Sequence, residues 1–280
     1  MSEPTKTVVV LWDFSKESEY CLEHAIQLAS VTGNSILFLH LIHEKSGFFG
    51  SAKLNENEVL KIKAEIEVKA KEVNDKYNIV TNVIVKTGNF IKNLVSFISS
   101  DKRINLVVLP FHYHYTSTKC LKGKVFNMVI KKTIVPYIVI KNPPHHKYYK
   151  ELVLPLDHDK KYKETIAWIV FLAHYYRCNV NILKPYIKDE FMKKDMNNNV
   201  FFSKKILDKQ NIVYGIKTAK KSQPFKDEIF RFAELIDADI IVMMAKQYCK
   251  WIDNDDQTAL NAPILIVPPR VDIVKYGALA

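Results

Sequence analysis

The chain has 280 residues, 48% of them hydrophobic and 11% aromatic, which excludes a disordered chain and allows one large domain or two modest ones. The formal net charge of +11 is uneven: residues 1–150 hold 21 Lys/Arg against 13 Asp/Glu (+8), and residues 151–280 hold 20 against 17 (+3). Nearly all of the positive charge is lysine, spread rather than clustered and accompanied by abundant Asn and Ile, so it reads as composition bias and a nucleic-acid surface is not expected.

The run Thr7-Val-Val-Val-Leu-Trp12 is short, apolar and β-branched, and Asp13 ends it. Residues 15–32 follow with a helical pattern, Ser15 as cap, acids Glu17 and Glu19 in the first turn and Gly33 as stop. Strands are then predicted at 35–41, 79–85, 104–109 and 137–140. Between them, helices are predicted at 55–77, 89–100 and 121–132. Continuous apolar strands alternating with helices predict a parallel sheet, buried on both faces, with right-handed crossovers.

After the polar, Pro-bearing stretch Pro143-Pro144-His145-His146-Lys147 the order restarts. Leu152-Val-Leu-Pro-Leu156 and Asp157 mirror the first strand and Asp13. A helix over 162–176, a strand over 179–183, a long helix over 188–210, a strand over 211–216, a helix over 224–236, a strand over 238–243 and a closing strand over 262–267 complete a second copy. The expected organisation is a first domain over 1–142, a linker over 143–150, a second domain over 151–270 and a tail over 271–280. In the second copy Met244 and Pro263 are 19 positions apart, against 26 from Pro110 to Pro136, which predicts a shortened fourth helix.

In doubly wound sheets, ligands sit beyond the C-terminal strand ends where strand order reverses. That points to Asp13, Leu41 and the segment after Leu109. An Asp ending a buried strand can also serve simply to cap the next helix. Phe111-His-Tyr-His-Tyr115 is a candidate aromatic pocket, with His112 and His114 as weak metal candidates lacking a nearby thiol or carboxylate in sequence. The cysteines Cys21, Cys120, Cys178 and Cys249 form no CxxC, so a zinc knuckle or redox pair is not indicated. No Gly-x-Ser-x-Gly, HExxH or Walker loop is present, and seven glycines leave little material for a phosphate cradle. No apolar run reaches the ~20 residues of a membrane helix, and the polar start lacks the form of a signal peptide, so a cytoplasmic protein without membrane contact is expected.

The Asp after the first strand, Leu39-His40 in the second, an Asp or Asn opening the fourth, and the x-Pro-hydrophobic closing strand resemble the universal stress protein family across both copies. The resemblance implies two tandem Rossmann-like sheets, similar to the adenine nucleotide alpha hydrolases, each of five parallel strands in the order 3-2-1-4-5. Nucleotide-binding members carry Gly-x2-Gly-x9-Gly-Ser after strand four, with the matching Asp in the adenine and ribose pocket. Here Pro110-Phe-His-Tyr113, nine residues and Gly123-Lys124 keep the spacing and lose two of three glycines. Pro110 has no N–H to offer a phosphate, and Tyr113 brings a ring where backbone must approach closely. Met244-Ala-Lys-Gln247 departs further, leaving Asp157 as the second-copy counterpart.

The resemblance therefore implies a non-catalytic stress-response or regulatory binding protein without a cofactor, acting through a protein partner or a small ligand. Two alternatives remain open: ATP or AMP held by the first copy through Asp13, Leu41, Pro110, Tyr113, Gly123 and Lys124, or an anionic surface bound by the basic first half. Family pairing also implies an intramolecular pseudo-dimer through the two final strands, with a homodimer as a further possibility.

Overall fold

The structure, a computed structural model, describes residues 5–43, 55–116, 119–121, 123–159, 162–251 and 261–268. The expected tail, 271–280, lies outside them. The chain forms two compact units, Met1–Pro143 and Pro144–Ala280. Residues 144–150, read from sequence as linker, group with the second unit.

The first unit runs β1 (Thr7–Leu11), α1 (Lys16–Thr32), β2 (Ser35–His43), α2 (Glu56–Tyr77), β3 (Thr81–Gly88), α3 (Phe90–Ser100), β4 (Ile104–Pro110), β5 (His114–Thr116), β6 (Lys119–Cys120), α4 (Gly123–Lys132) and β7 (Tyr137–Ile140). Its main sheet has the order β7-β4-β1-β2-β3, with every pairing parallel. This is the doubly wound 3-2-1-4-5 arrangement, with its switch point between β1 and β4. The centre is dry: Val8, Val9, Val10 and Leu11 on β1 and Val107 and Val108 on β4 are each at most 1% exposed. Helices close over it through amphipathic faces. Phe90, Leu94, Phe97 and Ile98 of α3 are buried, each contributing on the order of 2 kcal/mol by removal from water.

Capping sets the boundaries. Ser15 accepts the Ser18 N–H at 3.1 Å and opens α1, and Gly33 at φ 70 ends it. Asn55 forms a capping box with Glu58 to start α2. The β3 strand starts at Thr81, two residues later than the apolar run suggests. Asn78 takes a left-handed φ of 54 to end α2, and the Asn74 side chain donates to the Ile79 carbonyl at 2.9 Å, so both residues belong to the helix exit. The antiparallel pair β5–β6 was not anticipated from sequence.

The second unit runs β8 (Glu151–Pro155), α5 (Lys163–Tyr176), β9 (Asn179–Lys184), α6 (Glu190–Lys209), β10 (Tyr214–Thr218), α7 (Phe225–Leu235), β11 (Ile240–Met244), α8 (Ala245–Trp251) and β12 (Ile264–Val267). Its strand order is β10-β9-β8-β11-β12, again parallel. The helix after the fourth strand, α8, has seven residues among the described ones, against ten in α4. The β10 strand begins at Tyr214 rather than 211, because Asn211 is left-handed (φ 54) at the exit of α6.

Candidate functional site

At the switch point of the first unit the chain leaves β1 through Trp12 and Asp13. Phe14 adopts φ 62, an unusual conformation for an aromatic residue, and this lets Asp13 fold back on its own backbone. The Asp13 Oδ1 accepts the Ser15 N–H at 3.0 Å, an Asx turn leading into the helix cap. Its Oδ2 accepts the backbone N–H of His114 at 3.1 Å. Both carboxylate oxygens are therefore engaged by main-chain donors of the chain itself.

Glu17, in the first turn of α1, makes a parallel set of contacts. Its Oε2 accepts the His112 N–H at 2.9 Å, and its Oε1 lies 2.6 Å from His112 Nδ1. A carboxylate oxygen accepts, so Nδ1 carries the proton. Asp13 and Glu17 together clamp the segment after β4 onto the start of α1. Sequence reading noted Glu17 only as a first-turn acid; its spacing from Asp13 was the available signal.

That segment turns sharply. Pro110 ends β4 without an N–H, Phe111 donates to the Ile140 carbonyl at 2.7 Å, and Tyr113 donates to the Pro110 carbonyl at 3.3 Å. Tyr113 has no exposed surface, and its ring lies 5.6 Å from that of Phe90. The hydroxyl lies beside the Leu41 backbone near the Asp13 charge, without a hydrogen bond of good geometry. Burial, and then the Asp13 charge, push the phenol far above its ordinary value. Phe111 is also buried, at 8% exposed. The expected aromatic pocket is in this respect a filled core: Tyr113 occupies the space beside Asp13 and Leu41.

The other candidates separate. His112 turns to Glu17 while His114 is exposed and contributes its backbone N–H. Among the described residues no group of three His, Cys, Asp or Glu is placed to hold a metal. Gly123 and Lys124 are the first residues of α4, so this backbone belongs to a helix. His40 sets Nδ1 2.7 Å from the Trp12 carbonyl, which requires the proton on Nδ1. Burial lowers its pKa, opposed by that hydrogen bond and by Asp13.

The corresponding place in the second unit is built differently. Asp157 Oδ1 accepts the His158 N–H at 2.6 Å, and its Oδ2 is 3.5 Å from the Gln247 side-chain nitrogen. Gln247 Oε1 accepts the Met244 N–H at 3.1 Å. Buried Asn199 on α6 donates to the carbonyls of Asp157 (2.6 Å) and Asp159 (3.2 Å), fixing the turn after β8. The β11 strand passes directly into α8, leaving no loop between Met244 and Ala245.

Parallel strands in the order 3-2-1-4-5 with helices between them place each unit in the Rossmann-like, doubly wound class of α/β proteins. Within that class, residues 4–141 match the universal stress protein family. A universal stress protein of Methanocaldococcus jannaschii is 29% identical over 159 residues, covering 50% of this chain and 98% of that protein. Across nearly the full chain, the structure of a universal stress protein from Archaeoglobus fulgidus aligns with a TM-score of 0.70 at 14% identity, covering 94% of this chain and 98% of the other. A putative universal stress protein from Pseudomonas aeruginosa aligns with a TM-score of 0.60 at 12% identity, covering 95% and 94%. The first unit matches the universal stress protein family, and the structural likeness extends the same fold to the second unit. Among the described residues no helix is long and apolar enough to cross a membrane.

Proposed function

We propose that the protein is a non-catalytic regulatory binding protein of the stress-response type, and that its first unit has lost the family's adenine-nucleotide site. The observation that carries this reading is Tyr113, which has no exposed surface, lies beside the Leu41 backbone and feels the Asp13 charge. A base or ribose entering there would have to displace a buried aromatic ring, and it would find both Asp13 oxygens already accepting backbone N–H groups. The residues present therefore do not fit a nucleotide, and no step of a nucleotide reaction is assigned to them.

The glycine-poor segment supports the same reading. Phosphate cradles use successive backbone N–H groups, and here Pro110 supplies none while those of His112 and His114 point to Glu17 and Asp13. The protein then acts through a protein partner or a small ligand. Intramolecular pairing of the units through β7 and β12, carried over from the family resemblance, and a cytoplasmic location are part of this proposal.

Calorimetric titration of the full chain with ATP and AMP tests it. The proposal expects no saturable heat up to about 1 mM, an affinity weaker than about −4 kcal/mol. Saturable binding that disappears in Asp13→Ala would reject it and restore the first unit as a nucleotide site.

A further inference from the structure

The second unit has a cavity beside Asp157, at the end of β8. It is a half-open cleft of about 500 Å³. One wall is the turn after β8, carrying Asp157 and Asp159, and α6 contributes Asp195. The opposite wall is α8, with Lys246, Lys250 and the indole of Trp251.

The walls are held in place. Asn199, 2% exposed, bonds the turn carbonyls, and the Tyr162 hydroxyl donates to the Asn199 carbonyl at 2.6 Å. Gln247, 5% exposed, is pinned to the Met244 N–H, and Trp251 packs edge-on against Phe225 at 5.6 Å. Such supports keep a site's shape without help from its ligand.

The charges divide into satisfied and unsatisfied. Lys246 Nζ is 3.0 Å from Asp159 Oδ2, and that contact raises the lysine pKa. Asp195 and Lys250 have no ion pair among the described residues. Asp157 Oδ1 is held by the backbone N–H and ring Nδ1 of His158, at 2.6 and 2.7 Å, while its Oδ2 meets the Gln247 nitrogen at 3.5 Å. Among the described residues the lining carries three carboxylates, two ammonium groups and the His158 imidazole, and β11 passes straight into α8 without a glycine loop to cradle a polyphosphate.

We propose that this cavity binds a small zwitterion with a flat apolar body, of which an aromatic amino acid is the simplest case. Its ammonium group pairs with Asp195 and Asp157, its carboxylate with Lys250, and its ring lies against Trp251. This inference rests on the reading of the protein as a small-ligand binder and names the class of ligand and its place.

Calorimetry on the full chain with L-phenylalanine, phenethylamine and 3-phenylpropanoate tests it, because the last two each lack one charge. L-phenylalanine is expected to bind one per chain, with each half-ligand at least about tenfold weaker. Asp195→Asn is expected to reduce L-phenylalanine to the affinity of 3-phenylpropanoate, and Lys250→Gln to that of phenethylamine, both without a change in melting temperature. Equal affinities for the three probes, no heat from any of them at about 10 mM, or indifference to both substitutions would overturn the proposal. So would displacement of L-phenylalanine by ATP in the Asp13→Ala variant. ATP binding that needs Asp13 and leaves L-phenylalanine binding intact would count against the first-unit reading while supporting two separate sites.

Discussion

The Asp13 carboxylate and the backbone N–H of His114 meet at 3.1 Å, joining positions 101 residues apart at the edge of the β1–β4 crevice. With Glu17 and His112 one turn away, this contact makes the acid after β1 part of a closed structural clamp. The consequences for stability differ from those of a ligand site.

Replacing Asp13 by Ala is expected to destabilise the first unit by about 2–3 kcal/mol. It removes charge-assisted bonds to two backbone donors and the Asx turn that leads into α1. Urea unfolding of the variant measures this. A carboxylate reserved for a ligand would show little loss, or a gain.

Tyr113 yields a paired expectation. Tyr113→Ala is expected to cost about 3–5 kcal/mol, the range for emptying a large aromatic position. Tyr113→Phe keeps the packing against Phe90 and removes a hydroxyl without a well-formed hydrogen bond, so it is expected to be neutral or slightly stabilising. Denaturant midpoints of the two variants discriminate a core residue from a polar ligand contact.

His40 makes stability pH-dependent. Burial lowers its pKa below the ordinary 6.5, so above 6.5 the folded and unfolded states are both neutral and the stability is full. As pH falls below 6.5 the unfolded state takes up the proton first, and stability declines until the folded pKa is passed. His40→Asn is expected to flatten that acid limb in melting temperature measured from pH 8 to about 5.

In the second unit, Asn199→Ala leaves the carbonyls of Asp157 and Asp159 without their donor and removes a 2%-exposed side chain. A loss of about 2–3 kcal/mol is expected, together with faster amide exchange across the turn after β8. Hydrogen exchange measured by mass spectrometry reads both.

Much of this architecture is legible in the residues. The apolar runs at Thr7-Val-Val-Val-Leu and Tyr137-Ile-Val-Ile become strands because they can only be buried on both faces, and Ser15 and Gly33 bound α1 as their backbone preferences dictate. The loss of glycines after β4 also stands in the sequence itself. What could not be read was the destination of each side chain. Tyr113 could equally have lined a pocket, and only tertiary packing against Phe90 decides that it fills one. His112 and His114 alternate as ligands would, yet Glu17, 95 positions earlier, turns one of them away. The antiparallel pair β5–β6 escaped because the three residues His114–Thr116 and the two residues Lys119–Cys120 are too short to give a strand a clear period.

The most direct test is native mass spectrometry of the full chain as purified, followed by addition of ATP to about 1 mM. The account predicts the bare mass before addition and no stoichiometric adduct after it. A nucleotide carried through purification, or a one-to-one ATP adduct abolished by Asp13→Ala, would contradict it, because the space beside Asp13 and Leu41 would then have to open despite Tyr113.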